Sequence, residues 1–379
     1  MNVKRMIALL LALCLLAALG ACAKTPDSPA PAPSPAQSTE APSPEPEQTP
    51  EAADPGEAKP ETVEFTDDTG RTLTVPGNVE RIAVSGPMSQ IVLFSLAPEK
   101  LVGISNAWDA GAEAYFDPAY FRLPVLGQLY GGKGELNLEE LLAAAPQLVL
   151  DVGEPKGSIR EDMDALTEQT GIPFIHIDAS TATMGEAYRK LGALLGLEER
   201  AGELADYCEE TWAMAEQIMA SVGDGRKKIL YLLGDEGLNV IAKGSYHGEI
   251  IDLLGDNLAV LDQPSSKGTG NETDMEQLLL WDPEFIIFAN GSVAGQVGDD
   301  PVWQQLSAIR SGNYAEVPYG PYNWMGFPPS VQRYLGILWI MKTLYPQQAS
   351  YDLKAEVLRY FRLFYHAELT DEQYTAIVG

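Results

Sequence analysis

His247 stands in Gly244-Ser245-Tyr246-His247, between an expected strand and an expected helix, and is one of three histidines in the chain. A neutral imidazole there is a soft nitrogen donor, able to ligate a chelated metal or hydrogen-bond an anion. A histidine at the start of a surface helix would read the same way. Tyr319-Gly320-Pro321-Tyr322-Asn323-Trp324-Met325-Gly326-Phe327-Pro328 sets aromatic rings among glycines and prolines. Such rings need a surface to cover, either a planar or apolar ligand or the protein's own core; Tyr322 and Trp324 are expected at the ligand. Gly127 to Lys133 fits the first seven positions of a phosphate-binding loop, but Gly134 replaces the Ser or Thr that would hold magnesium. Nucleotide binding is therefore not expected, whereas Tyr130 and Lys133 are candidates for contacting a ligand's anionic groups. Hydrolytic chemistry has no carrier. Neither GxSxG nor HExxH occurs, and Gly291-Ser292-Val293-Ala294-Gly295 has its serine in the wrong place. The chain reads as a binder and not an enzyme.

The elements that must position these residues form two α/β lobes. Residues 63–182 open with a hairpin around Asp68-Thr69-Gly70. Short apolar strands at Arg81-Ile82-Ala83-Val84, Leu101-Val102-Gly103-Ile104, Gln147-Leu148-Val149-Leu150 and 173–177 then alternate with helices, which implies a largely parallel sheet covered on both faces. Residues 183–225 contain no proline and repeat Leu191, Leu194, Leu195, Leu204, Tyr207, Trp212 and Ile218 at helical spacing, one or two long helices linking the lobes. Residues 226–379 repeat the plan, with an amphipathic helix expected from Val331 to Leu344 and terminal helices after it. Ligands of parallel α/β lobes sit at the carboxyl ends of strands. That rule nominates Met88 and Gln90 in the loop after the first parallel strand, Tyr130 and Lys133 in the loop before residue 135, and Tyr246, His247, Asn290, Tyr322 and Trp324 in the second lobe.

The N-terminus says where the protein works. Lys4 and Arg5 precede an apolar run, Met6 to Leu19, which has the length of a signal peptide's core and is too short to span a bilayer comfortably. The run ends in Leu19-Gly20-Ala21-Cys22, a lipobox, so Cys22 is the expected lipidation site and residues 1–22 the signal. Residues 23–62, rich in Pro, Ala, Ser and Glu, read as a disordered tether. With Cys14 removed and Cys22 lipidated, Cys208 is left alone and no disulfide can form within the mature chain. The formal charge of −29 argues against nucleic-acid and membrane-surface binding, so membrane association is expected through the lipid anchor alone.

The halves share a repeat. Asn137-Leu138-Glu139-Glu140-Leu141-Leu142 followed by Pro146-Gln147-Leu148-Val149-Leu150 is echoed by Asp274-Met275-Glu276-Gln277-Leu278-Leu279 followed by Pro283-Glu284-Phe285-Ile286-Ile287. With Asp68-Thr69-Gly70-Arg71, Val75-Pro76, Arg81-Ile82-Ala83-Val84 and Val317-Pro318, this order resembles the substrate-binding proteins of ABC importers, in the cluster that binds siderophores, haem and cobalamin. The resemblance implies two rigid lobes bridged by one long helix, a ligand in the cleft, modest closure and no cofactor. It also implies docking onto a permease, which works with an ATPase, through one surface glutamate per lobe; Glu139 and Glu276 occupy those places. A metal chelate is the expected cargo, with His247 a possible metal ligand through the chelate. An oxyanion such as molybdate or tungstate is the nearest competitor, held by backbone amides at helix starts and His247. A sensing domain for a membrane receptor is the other reading.

Overall fold

The first lobe begins by burying an ion pair. The computed structural model describes residues 61–130, 135–326 and 328–379; the signal, Cys22, most of the tether and Lys133 lie outside them. Strands β1 (Thr62–Thr66) and β2 (Thr72–Pro76) pair antiparallel. In their turn, Asp67 Oδ1 accepts from the backbone of Thr69 and Arg71 at 3.0 and 3.1 Å. Its Oδ2 meets Arg71 Nη2 at 2.6 Å, and that guanidinium also donates to Phe174 O. The Asp-Thr-Gly-Arg sequence thus bolts the hairpin to the sheet behind it.

That sheet is β3 (Ile82–Val84), β4 (Leu148–Gly153) and β5 (Phe174–Asp178), all parallel with β4 central. Helices α1 (Pro87–Leu96), α2 (Leu138–Ala144) and α3 (Ile159–Thr170) connect the strands. The strand expected at Leu101 to Ile104 is reduced to isolated bridges, Ile82 to Leu101 and Ile104 to Val125.

The link between lobes is two helices. α4 (Met184–Leu195) stops at Gly196, whose φ of 66° is the left-handed turn glycine adopts freely. α5 (Glu198–Val222) runs 25 residues, about 37 Å at 1.5 Å per residue.

The second lobe holds β6 (Lys228–Leu233), β7 (Asn239–Val240), α6 (Glu249–Leu254), β8 (Asp256–Asn257), β9 (Asn271–Glu272), α7 (Met275–Trp281), β10 (Phe285–Phe288), α8 (Ser307–Arg310) and β11 (Tyr314–Glu316). Its sheet is mixed. β11, β10, β6 and β8 are parallel, while β7 pairs antiparallel with β6 and β9.

Three helices follow: α9 (Arg333–Leu344), α10 (Leu353–Tyr365) and α11 (Asp371–Val378). The amphipathic helix expected from Val331 is corrected here. All of α9 except Lys342 and Thr343 is buried, because α5, α6 and α10 pack around it. A helix apolar on every side is a core helix. α10 then returns to the first lobe. Tyr115 packs edge-on to Phe361, His366 Nε2 lies 3.0 Å from Phe94 O, and Arg200 Nη2 bonds both Ser95 O and Leu363 O. The lobes are therefore strapped by α10 as well as by α5.

Candidate functional site at the cleft

Each lobe delivers one helix N-terminus to the cleft. In the first, β3 runs into Ser85-Gly86-Pro87 and then α1. Gly86 is extended, no side chain caps the helix, and its first turn holds no acid. In the second, α9 starts after Gln332, again without a side-chain cap or a first-turn acid. Every other helix of eight or more residues among the described residues carries an acid in its first turn. An acid or cap normally satisfies the N–H groups and positive dipole end there. At α9 the N–H groups of Arg333, Tyr334 and Leu335 bond back to Ser330, Val331 and Gln332 carbonyls, so what that end offers is the Arg333 side chain. The two termini are brought together, since Ser330 Oγ donates to Met88 O across the lobes at 3.4 Å.

Arg333, the first residue of α9, is 1% exposed. Its Nη1 lies 3.3 Å from both Thr181 Oγ1 and Glu249 Oε2, and its guanidinium carbon sits 4.9 Å over the Tyr246 ring. Nε and Nη2 are buried without a hydrogen-bond partner among the described residues. Burial lowers the guanidinium's pKa, with Tyr246 and Glu249 opposing that shift. Gly326, at φ 125°, leaves the room: a Cβ there would fall 2.9 Å from Arg333 Nε. Glu249 also accepts from the backbone of Thr181 and Ala182 at 2.9 and 3.1 Å, so its carboxylate is neutralised locally.

Tyr246 closes the floor. Its hydroxyl lies 3.3 Å from Met88 Sδ and 3.2 Å from Ala179 O, both in the first lobe. Gly153, at φ 142° in a backbone conformation that favours glycine, lies against Met88 Sδ. His247 is half-buried beside the Tyr246 ring. Burial first, and Arg333 next, hold its pKa at about 4, so it is neutral at pH 7. A cavity of about 570 Å³ opens nearby, lined by Glu154, Ser180, Trp212, Tyr246, Glu249 and Asp252 among others. Its carboxylates Glu154 and Asp252 would repel an anion. The donor-rich place is instead the junction of Met88, Ser330 and Arg333. Among the described residues, no group of three or more His, Cys, Asp or Glu is placed to hold a metal ion.

The structure brings Met88, Tyr246 and His247 together and turns other nominated residues to different work. Gln90 is buried; its Oε1 accepts from Ser105 N and Oγ at 2.8 and 2.9 Å, and its Nε2 donates to Asn106 O, so the amide stitches a loop. Tyr130 donates to Asp162 Oδ2 at 2.9 Å. Asn290 donates to Val317 O at 2.7 Å and accepts from Asn323. Trp324 is 0% exposed, with its indole N–H bonded to Gly320 O at 3.2 Å, and Tyr322 is 7% exposed. Their rings cover the protein's own core in this conformation, and Tyr319 reaches across to Asp109 instead. Glu139 and Glu276 are exposed in the first turns of α2 and α7, away from this floor.

Arg333, Glu249, Thr181 and Ser330 were not nominated by the sequence. A signal existed for Arg333: it is the one charge between Val331 and Met341, in a run otherwise made of apolar, aromatic, Gly and Gln residues.

Comparison with known proteins gives this cleft its setting. An ABC transporter solute-binding protein from Sulfurospirillum deleyianum is 28% identical, covers 83% of this chain and 98% of its own, and superposes with a TM-score of 0.76. The molybdate-binding protein MolA of Haemophilus influenzae is 25% identical over 331 residues, which are 79% of this chain and 90% of MolA. The catecholate-siderophore-binding protein VctP of Vibrio cholerae shares the fold at 17% identity, with a TM-score of 0.54 over 78% of this chain and 100% of that one. The model of the periplasmic binding protein family matches residues 82–319, from β3 through the start of the aromatic loop. The chain belongs to that family: it is an extracytoplasmic solute-binding protein of an ABC transporter, and not an enzyme.

Proposed function

We propose that this protein captures a small oxyanion of the molybdate and tungstate type and delivers it to the transporter's permease. One observation carries the reading. The N-terminus of α1, without a cap or first-turn acid, approaches Ser330 just before α9, whose first residue is a buried arginine with two donors unpartnered among the described residues. Helix N-termini present N–H groups and positive dipole ends to anions, and an unpaired buried donor is costly unless a ligand satisfies it. An anion seated there would take up the Arg333 donors. The similarity to MolA, a molybdate-binding protein, supports the same class.

A metal chelate is the second reading, and His247 favours it. An imidazole kept neutral at pH 7 can complete the coordination of a metal that brings its own ligands. In either case we assign Glu139 and Glu276 to permease docking and Cys22 to lipid anchoring.

A thermal-shift screen of the mature chain separates the readings. The panel is molybdate, tungstate, sulfate, ferric siderophores, haem and cobalamin. A ligand at one hundred times its dissociation constant stabilises by about 2.7 kcal/mol. Stabilisation by molybdate or tungstate is expected. Stabilisation by ferric chelates alone, abolished in His247→Ala, would replace the cargo and keep the transporter role.

A further inference from the structure

The docking helices α2 and α7 share a plan, with the same residue at Glu139 and Glu276, Leu141 and Leu278, and Leu142 and Leu279. Asn137 and Asp274 cap them, each accepting from first-turn backbone N–H groups. Glu139 and Glu276 follow two residues later, and Leu141 and Leu278 anchor the helices at 0% exposure. Ala145 and Asp282 end them in the left-handed region, at φ 46° and 39°, before Pro146 and Pro283. A helix feeding a parallel strand runs back along the sheet, so each glutamate lies toward its carboxyl edge.

Beyond each glutamate the helix exposes leucine. Leu142 is 51% exposed, Leu279 36% and Leu280 75%. Leu142 stands three residues after Glu139; Leu279 and Leu280 stand three and four after Glu276. Residues at those spacings share a helix face. A single exposed leucine is ordinary. Here the same helix of each lobe exposes leucine in the same register beside the same carboxylate.

We infer that Leu142, Leu279 and Leu280 are buried against the permease on docking and set how long the complex lasts, while Glu139 and Glu276 set how fast it forms. The inference rests on the docking role of the glutamates. It commits to one occupant: the transporter's permease, presenting a cation flanked by an apolar socket to each lobe. The charge argues for that chemistry, because Glu139, Glu140 and Glu276 on a chain of formal charge −29 call for a basic partner. The apolar part argues for the rest, since interface centres are apolar while charges at their rims act on association.

The test uses the mature chain and its permease–ATPase complex in nanodiscs, with binding kinetics read at low and physiological salt. Leu142→Ser with Leu280→Ser is expected to raise the dissociation rate by at least about tenfold with the salt dependence unchanged. Glu139→Gln with Glu276→Gln is expected to slow association and flatten its salt dependence. Thermal shift with molybdate checks that the leucine variants fold and bind the oxyanion as the parent does. Leucine variants that dissociate at the parent's rate would overturn the inference even if the glutamate variants behave as expected. Glutamate variants that associate at the parent's rate would overturn the docking reading beneath it.

Discussion

At the cleft, lobe 1 offers the first turn of α1, where Gly86, Pro87 and Met88 carry no charge and the backbone is the donor. Lobe 2 offers the first turn of α9 with Arg333 inside it, and His247 nearby. On their outer helices the lobes instead share a plan, a capping Asn137 or Asp274, Glu139 or Glu276, a left-handed end and then Pro146 or Pro283. On the proposed reading, the sequence repeats where both lobes would meet one permease and diverges where the halves of the proposed site would divide the labour. In the proposed site, charge would come from one lobe and dipole from the other.

The outer symmetry is broken most severely by charge reversal. Glu139→Lys with Glu276→Lys is expected to abolish uptake in cells while calorimetry finds cargo affinity unchanged; normal uptake would sink the docking assignment. Trp324→Ala tests whether the aromatic loop is scaffold. Removing this fully buried indole should cost about 3–5 kcal/mol in urea unfolding. An unfolding midpoint like the parent's, with weakened binding, would make the ring a ligand wall after all.

The inner asymmetry is sharpened by paired variants. Arg333→Met should weaken oxyanion binding at least about 100-fold, near 3 kcal/mol, whereas Met88→Ala keeps its backbone N–H and should lose less than about tenfold. Arg333→Met also leaves Glu249 without its cation. Adding Glu249→Gln should therefore recover stability without recovering affinity. Equal losses at Met88 and Arg333 would erase the division between lobes.

The smallest effect is a pH slope. The folded His247 titrates near 4, below the ordinary value of about 6.5. Between those values the unfolded chain binds the extra proton, so stability falls as pH drops from 6.5 toward 4. His247→Gln should remove on the order of 2 kcal/mol of that loss in urea titrations across the window. A slope identical to the parent's would show that His247 is already protonated there.

Local chemistry made part of this molecule readable. Asn137 and Asp274 as caps, and Pro146 and Pro283 as helix stops, act within a few residues, so the repeat and the lobe plan were legible. The Asp68-Thr69-Gly70 turn was legible for the same reason. The site was less so. Gln90 is consumed by Ser105 and Asn106, fifteen and sixteen residues away, and no local pattern announces that. Whether Trp324 faces outward or inward depends on what packs around its loop. Burial of α9 on every side comes from α5, α6 and α10, and without those neighbours Arg333 reads as an ordinary first-turn surface charge. Residue types nominated the cleft's loops; tertiary packing chose which side chains remain available in them.

The most direct test is a crystal of the mature protein grown with tungstate, with anomalous differences collected at the tungsten edge. The expected result is one strong peak between the first turn of α1 and Arg333, within hydrogen-bond reach of Nε and Nη2. An empty junction at saturating tungstate, with those two donors still unpartnered, would contradict the oxyanion site.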